Sequence, residues 1–246
     1  MKNTQYHSFC EQLFQNWKKD NIPEKEKLEK VFQMDYVPEP YLYFNPENNP
    51  LYVLYNNPGG GIDEIQKKEV ISEKNYYDFA KRISEYYLDE NKFKYATAAY
   101  NRIKKAMNFA KHEEYSGIIN IETLPFHSSK LNKPKAIRLI NKVNLLQDYI
   151  EQLKLFLADK PALALSGCNS RVSITEETIE KSDWISLQAE LIGFDINHCN
   201  RTILKEKGDK VTSAIFKNNN KYILLMAGSN NFPASFKTEI SKELIF

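Results

Sequence analysis

Four short apolar runs, Leu51 to Tyr55, Gly117 to Ile121, Ala162 to Leu165 and Tyr222 to Met226, each give way to a segment rich in Asn, Ser, Gly or Pro. Helical periodicity fills the intervals: Tyr76, Phe79, Ala80, Ile83 and Tyr87 share one face, as do Ala99, Ile103, Ala106, Met107 and Ala110. Further helices are expected from about Lys135 to Leu157 and around Ser182 to Leu191. Strands that alternate with helices require right-handed crossovers, which predicts an α/β fold with a mostly parallel sheet and helices on both faces. Thr202 to Lys205 and Val211 to Phe216, with turns at Gly208-Asp209 and Asn218 to Asn220, add an antiparallel hairpin at the C-terminal edge. Ahead of the first run, His7 to Lys18 reads as a helix and Pro23 opens a shorter one. Pro38, Pro40, Pro46 and Pro50 then punctuate an extended approach. With no repeat, low-complexity tract or dividing linker, residues 1–246 read as one domain, residues 1–47 being a helical and extended segment packed onto it.

Length allows a sizeable core. Charged residues are 27% of the chain and nearly cancel to +2, so net charge gives no argument for nucleic acid. No apolar run reaches about 18 residues and no charged-then-apolar leader opens the chain, so neither a membrane span nor a signal peptide is expected, and the location is expected to be cytoplasmic. Cys10, Cys168 and Cys199 are far apart and read as free thiols, and the sequence calls for no metal and no cofactor.

Ligands of open α/β sheets bind beyond the carboxyl ends of the strands. That rule selects Asn56 to Gly61, Asn120 to Lys130, Ser166 to Arg171 and Ala227 to Pro233, all poor in carboxylates and cysteines. Such a site binds through amides and hydroxyls. The first segment stands out, because three of the chain's eight glycines fall together at Gly59 to Gly61, directly after a strand and two carboxamides. Glycine is useful where φ is positive or where something approaches the main chain closely. The turn is not a P-loop, since GxxxxGK[ST] is absent, and neither GxGxxG, HExxH nor GxSxG occurs. His7, His112, His127 and His198 are too scattered to form a triad.

The ordered motifs resemble the uracil-DNA glycosylase superfamily. Leu54-Tyr55-Asn56-Asn57-Pro58-Gly59 is similar to the Asn-Pro-Gly branch of its first motif, Ile118-Ile119-Asn120 to its second-strand motif, and Ala162 to Gly167 to its third. The resemblance covers about residues 48 to 236 and implies a three-layer α/β/α sandwich that flips a base out of DNA and hydrolyses its N-glycosidic bond, an activity of DNA repair. By that likeness Asn57 positions the attacking water and Asn120 reads the base, while Gly59 and Gly60 leave room beside base and sugar. Tyr76, Tyr77 and Phe79 are the candidates to stack on the base. The last motif departs from the family pattern: Met226-Ala227-Gly228-Ser229-Asn230-Asn231-Phe232-Pro233 puts Ser229 or Asn230 at the base-supporting position, with Phe232 as the wedge.

His127 stands at the edge of the expected site, as a base or phosphate contact or as a structural hydrogen-bonding residue. Lys130, Lys133, Lys135 and Arg138 open a helix where DNA phosphates are expected, with Arg171 and Lys237 near the other edges. DNA is thus the expected partner. The altered last motif leaves a second expectation, a catalytically inactive module of this fold that binds nucleic acid or a protein partner. A small-molecule hydrolase using the same crevice is a third.

Overall fold

The computed structural model describes residues 4–89, 97–168 and 173–227. Its helices are α1 (Gln5–Lys18), α2 (Lys25–Leu28), α3 (Asp63–Gln66), α4 (Tyr76–Leu88), α5 (Thr97–His112), α6 (Lys133–Ile140), α7 (Asn144–Leu157), α8 (Glu176–Glu180) and α9 (Asp183–Ile192). Its strands are β1 (Tyr41–Phe44), β2 (Leu51–Tyr55), β3 (Ile118–Glu122), β4 (Ala162–Cys168), β5 (Asn200–Lys207), β6 (Lys210–Asn218) and β7 (Lys221–Ala227).

The strands form one seven-stranded sheet in the order β1-β3-β2-β4-β7-β6-β5. Its centre, β3-β2-β4-β7, is parallel, as crossover helices demand. The expectation of a mostly parallel sheet needs correction, because the other three pairings are antiparallel and the sheet is mixed. β1 pairs antiparallel with β3, and β7, β6 and β5 form a meander. β1 escaped the sequence reading because prolines crowd around it. Pro40 and Pro46 flank the four-residue run without interrupting it, and an edge position tolerates proline. The expected C-terminal hairpin is β5–β6, turned at Gly208 with φ +58°.

The expected helix from Lys135 to Leu157 is two. After Ile140 the chain passes Asn141 and reaches Val143 in extended conformation, φ −121° and ψ 110°. Asparagine and β-branched valine are weak helix formers, and Val143 is fully buried, so tertiary packing breaks the helix there. Other ends follow local chemistry. Thr4 caps α1 by accepting from the His7 amide, Asn75 caps α4 through Asp78, and Gly193 closes α9 with φ +64°.

Side chains of a strand alternate between faces. On β2, Tyr52 meets Phe156 of α7 at 5.6 Å between ring centroids, while the Arg102 guanidinium of α5 sits 5.7 Å from the Tyr55 ring on the opposite face. α1 packs on α7, with Tyr6 stacked on Phe156 at 4.6 Å and its hydroxyl 3.2 Å from that of Tyr149. The chain leaves β2 toward β3 and leaves β4 toward β7, on opposite sides. The switch point of the parallel core therefore lies between β2 and β4, beside Asn56 and Asn57.

Candidate functional site

The loops after β2 and β3 are zipped together. Thr123 N donates to Tyr55 O at 3.0 Å, Leu124 N to Asn56 O at 3.0 Å, and Ser128 N to Pro58 O at 3.1 Å and Gly59 O at 3.2 Å. The Asn57 side chain adds to this seam, its Nδ2 donating to the carbonyls of Pro58 at 2.5 Å, Phe126 at 3.3 Å and Ser128 at 3.4 Å. Carbonyls only accept, so the amide has one orientation. Its Oδ1 faces away from the seam, with no hydrogen-bond donor among the described residues.

The three glycines differ in what surrounds them. None has positive φ; among the described glycines only Gly193 and Gly208 do. A Cβ on Gly59 would meet nothing within 4 Å, one on Gly60 would touch Ser129 Cβ at 3.5 Å, and one on Gly61 would overlap the Tyr36 ring. Gly59 thus borders open space, a Cβ at Gly60 would make only ordinary contact with Ser129, and steric necessity belongs to Gly61.

Behind the turn, His127 is 1% exposed. Its Nδ1 lies 3.1 Å from Gly59 O and so carries the proton, and its Nε2 is 3.8 Å from Glu39 Oε1 with no hydrogen-bond partner among the described residues. Burial lowers the imidazole to about 4 and pushes the Glu39 carboxyl up to about 8, so both are uncharged near neutrality. Gln66 Nε2 donates to Glu39 Oε1 and, at 3.2 Å, to the Tyr87 hydroxyl.

The switch point itself is tied by a buried network absent from the sequence reading. Asn56 Oδ1 accepts from Trp184 Nε1 at 2.7 Å, and Gln188 Nε2 donates to Thr123 Oγ1 at 3.0 Å and Tyr55 O at 3.3 Å. Ser166 of β4 donates to Gln188 Oε1. One glutamine on α9 thereby ties the ends of β2, β3 and β4. Its only sequence signal was helical spacing from Trp184.

Asn120 is the third residue of β3, which runs on to Glu122. It pairs with Val53 across the ladder and Glu122 pairs with Tyr55, so Asn120, Glu122 and Tyr55 share the face toward Arg102. Asn120 Nδ2 donates to Glu122 Oε1 at 3.2 Å. Asn120 Oδ1, Glu122 Oε2 and the Tyr55 hydroxyl are buried without a hydrogen-bond partner among the described residues. Buried polar atoms are almost always paired, so three orphans on one patch are informative. Burial raises the Glu122 carboxyl well above the usual range against the pull of Arg102, which favours its protonated form. The signal was in the sequence: in Ile-Ile-Asn-Ile-Glu the two polar residues alternate onto one face.

Asn120 pairs with Val53 inside the ladder, whereas Asn57 lies two residues past Tyr55, where β2 ends. Of the expected phosphate contacts, Lys130 is exposed, whereas Lys133 donates from Nζ to Gly167 O at 3.0 Å and joins α6 to the end of β4. Lys135 and Arg138 are exposed. Tyr76 and Phe79 are corrected from stacking candidates to core residues, both 0% exposed beside Phe14 of α1. Tyr77 is exposed but pairs with Tyr43 of β1, at 5.6 Å between rings. The aromatic at the turn is Tyr36, its ring 5.6 Å from that of His127. Arg171, Ser229, Asn230, Phe232 and Lys237 lie outside the described residues. No described helix is long and apolar enough to cross a membrane, and no described group of three His, Cys, Asp or Glu is arranged to hold a metal. Comparison with protein-family models, curated proteins and solved structures finds no match.

Proposed function

We propose that this chain is a DNA glycosylase-like protein of three-layer α/β/α architecture, acting in the cytoplasm, that flips a damaged or modified base and hydrolyses its N-glycosidic bond. The observation that carries the reading is the Asn57 amide at the switch point, whose Nδ2 is held by three carbonyls while its Oδ1 has no donor among the described residues. That oxygen accepts a hydrogen bond from a water and holds it in line with the sugar C1′. An amide takes no proton, so its contribution is proximity and orientation. Water oxygen bonds to C1′ and releases a proton to solvent, the C1′–N bond breaks, and its electron pair leaves with the base, which takes a proton from solvent. Extrusion of the base costs a few kcal/mol, least for a mismatched or damaged one. The uncharged amides and carboxyls on the Asn120 face suit a neutral heterocycle. Asn120 reads the base, Gly59 and Gly60 leave its path open, and His127 steadies the turn. Ser229 and Asn230 support the leaving base, and Lys130, Lys133, Arg171 and Phe232 engage the strand.

Labelled oligonucleotides carrying uracil, other deaminated bases or modified bases, treated with alkali after incubation, test this. Strand cleavage at the lesion is expected, with loss in Asn57→Ala. Intact strands throughout would remove the hydrolytic reading.

One observation favours a second reading, a catalytically inactive module binding nucleic acid or a protein partner. Asn57 Nδ2 is fully engaged in holding two loops together, which is sufficient reason for an asparagine there. Under that reading DNA binding survives Asn57→Ala and Asn120→Ala without abasic product.

A further inference from the structure

The pair formed by Asn120 and Glu122 of β3 has a use that water positioning at Asn57 leaves open. Asn120 and Glu122 are 7% and 8% exposed, and Tyr55 beside them 5%. The internal bond from Asn120 Nδ2 to Glu122 Oε1, 3.2 Å, engages one N–H of the amide and one carboxyl oxygen. Asn120 Oδ1, Glu122 Oε2 and the Tyr55 hydroxyl each lack a partner among the described residues. Leaving such groups unmatched is costly, so three together mark a place where something else supplies the hydrogen bonds. The groups facing the pair are Arg102 on α5, Tyr87 on α4 and Glu39 ahead of β1. Arg102 is the cation among them and lies over the Tyr55 ring. Burial outweighs Arg102 and favours the neutral carboxyl, in which Oε2, not engaged by Asn120, is the oxygen available to carry the proton.

We propose that Glu122 contacts the base directly as a neutral hydrogen-bond donor, and that with the acceptor Asn120 Oδ1 it selects uncharged heterocycles offering one acceptor and one N–H. This rests on the reading of the site as a nucleobase site and adds to it a base-contacting residue and a substrate class. The Tyr55 hydroxyl completes the set as donor or acceptor. A carboxylate at this position would repel the carbonyl oxygens and ring nitrogens of such a base. A protonated carboxyl donates to them.

Glutamine is the near isostere of a protonated glutamate and keeps a donor, whereas methionine keeps only the volume. NMR-monitored titration of the full chain with free uracil, hypoxanthine, cytosine and adenine therefore tests the contact without requiring catalysis. At least one base is expected to bind saturably, Glu122→Gln to bind it within about threefold of wild type, and Glu122→Met at least about tenfold more weakly. The proposal is overturned if Glu122→Met binds as wild type does, if Glu122→Gln loses as much as Glu122→Met, or if none of the four bases binds. To separate lost contacts from lost fold, the double variant Asn120→Leu/Glu122→Met should melt at or above the wild-type temperature, since an orphaned polar pair is exchanged for an apolar one. A melt several degrees lower would show the pair to be internally satisfied and would overturn the premise. Base binding that depends on Glu122 but is accompanied by no base release from DNA removes hydrolysis and keeps this contact. Base release indifferent to Glu122→Met does the reverse.

Discussion

The Nδ2 of Asn57 lies 3.3 Å from the carbonyl oxygen of Phe126, so a side chain after β2 holds the backbone of the loop after β3, 69 residues later in the chain. The same nitrogen reaches Ser128 O, and His127, between those two residues, returns the contact to Gly59 O. Two loops joined this way form one wall of the switch point, and the amide orientation at Asn57 follows from its carbonyl partners.

Asn57→Asp should therefore destabilise the protein more than Asn57→Ala. Alanine removes a donor from three carbonyls, at about 1–3 kcal/mol. Aspartate also places negative charge against the same oxygens. Urea denaturation of both variants gives the order, and an aspartate variant as stable as wild type would show that these carbonyls do not set the amide orientation.

The glycines should separate by their neighbours. Gly61→Ala has to displace the Tyr36 ring and is expected to cost about 1–3 kcal/mol, as overpacking does. Gly59→Ala enters open space and should stay within about 0.5 kcal/mol. Tyr36→Ala in the Gly61→Ala background should recover much of the loss. Additive losses in that double variant would refute the clash.

Glu39 makes stability depend on pH. Its carboxyl titrates at about 8 in the fold against about 4.5 in the unfolded chain, so folding takes up a proton between those values. Its favourable contribution is complete below pH 4.5 and is lost as pH rises through 8, at up to about 1.4 kcal/mol per unit. Glu122 has the same sign. His127, lowered to about 4, works oppositely between about 4 and 6.5, where the unfolded chain takes the proton. The fall should therefore be clearest from pH 6.5 to 8 and shallower in Glu39→Gln. An unchanged slope in that variant would mean that Glu39 is ionised throughout the range.

Lys130 and Lys133 should behave differently toward DNA. Lys130 is exposed, and Lys130→Ala is expected to reduce the slope of log K against log salt by about one. Lys133 already donates to Gly167 O, so Lys133→Ala should lower thermal stability as well. Equal salt slopes for wild type and Lys130→Ala would remove that phosphate contact.

Much of the frame was legible because periodicity and turn chemistry agree with it. Leu51 to Tyr55 and Tyr76 to Leu88 begin and end where expected, and the loop after β2 lies at the switch point. The break at Val143 was hidden because packing, not local preference alone, decides it. β1 was hidden because an edge strand survives among prolines that would destroy a central one. At the site, Asn57 was legible from its turn, but the roles of the glycines were not, since the ring crowding Gly61 comes from Tyr36, 25 residues earlier in the numbering. Glu122 went unread because attention fell on strand ends, whereas its chemistry arises from burial on a strand face beside Asn120.

Base release under single-turnover conditions is the most direct measurement of the central claim. With the protein in excess over single- and double-stranded oligonucleotides bearing deaminated or modified bases, free base is quantified over time for wild type and Asn57→Ala. The account predicts release from at least one substrate, slowed tenfold or more in Asn57→Ala while DNA binding persists. Absence of release from every substrate, or equal rates for the two proteins, would contradict it.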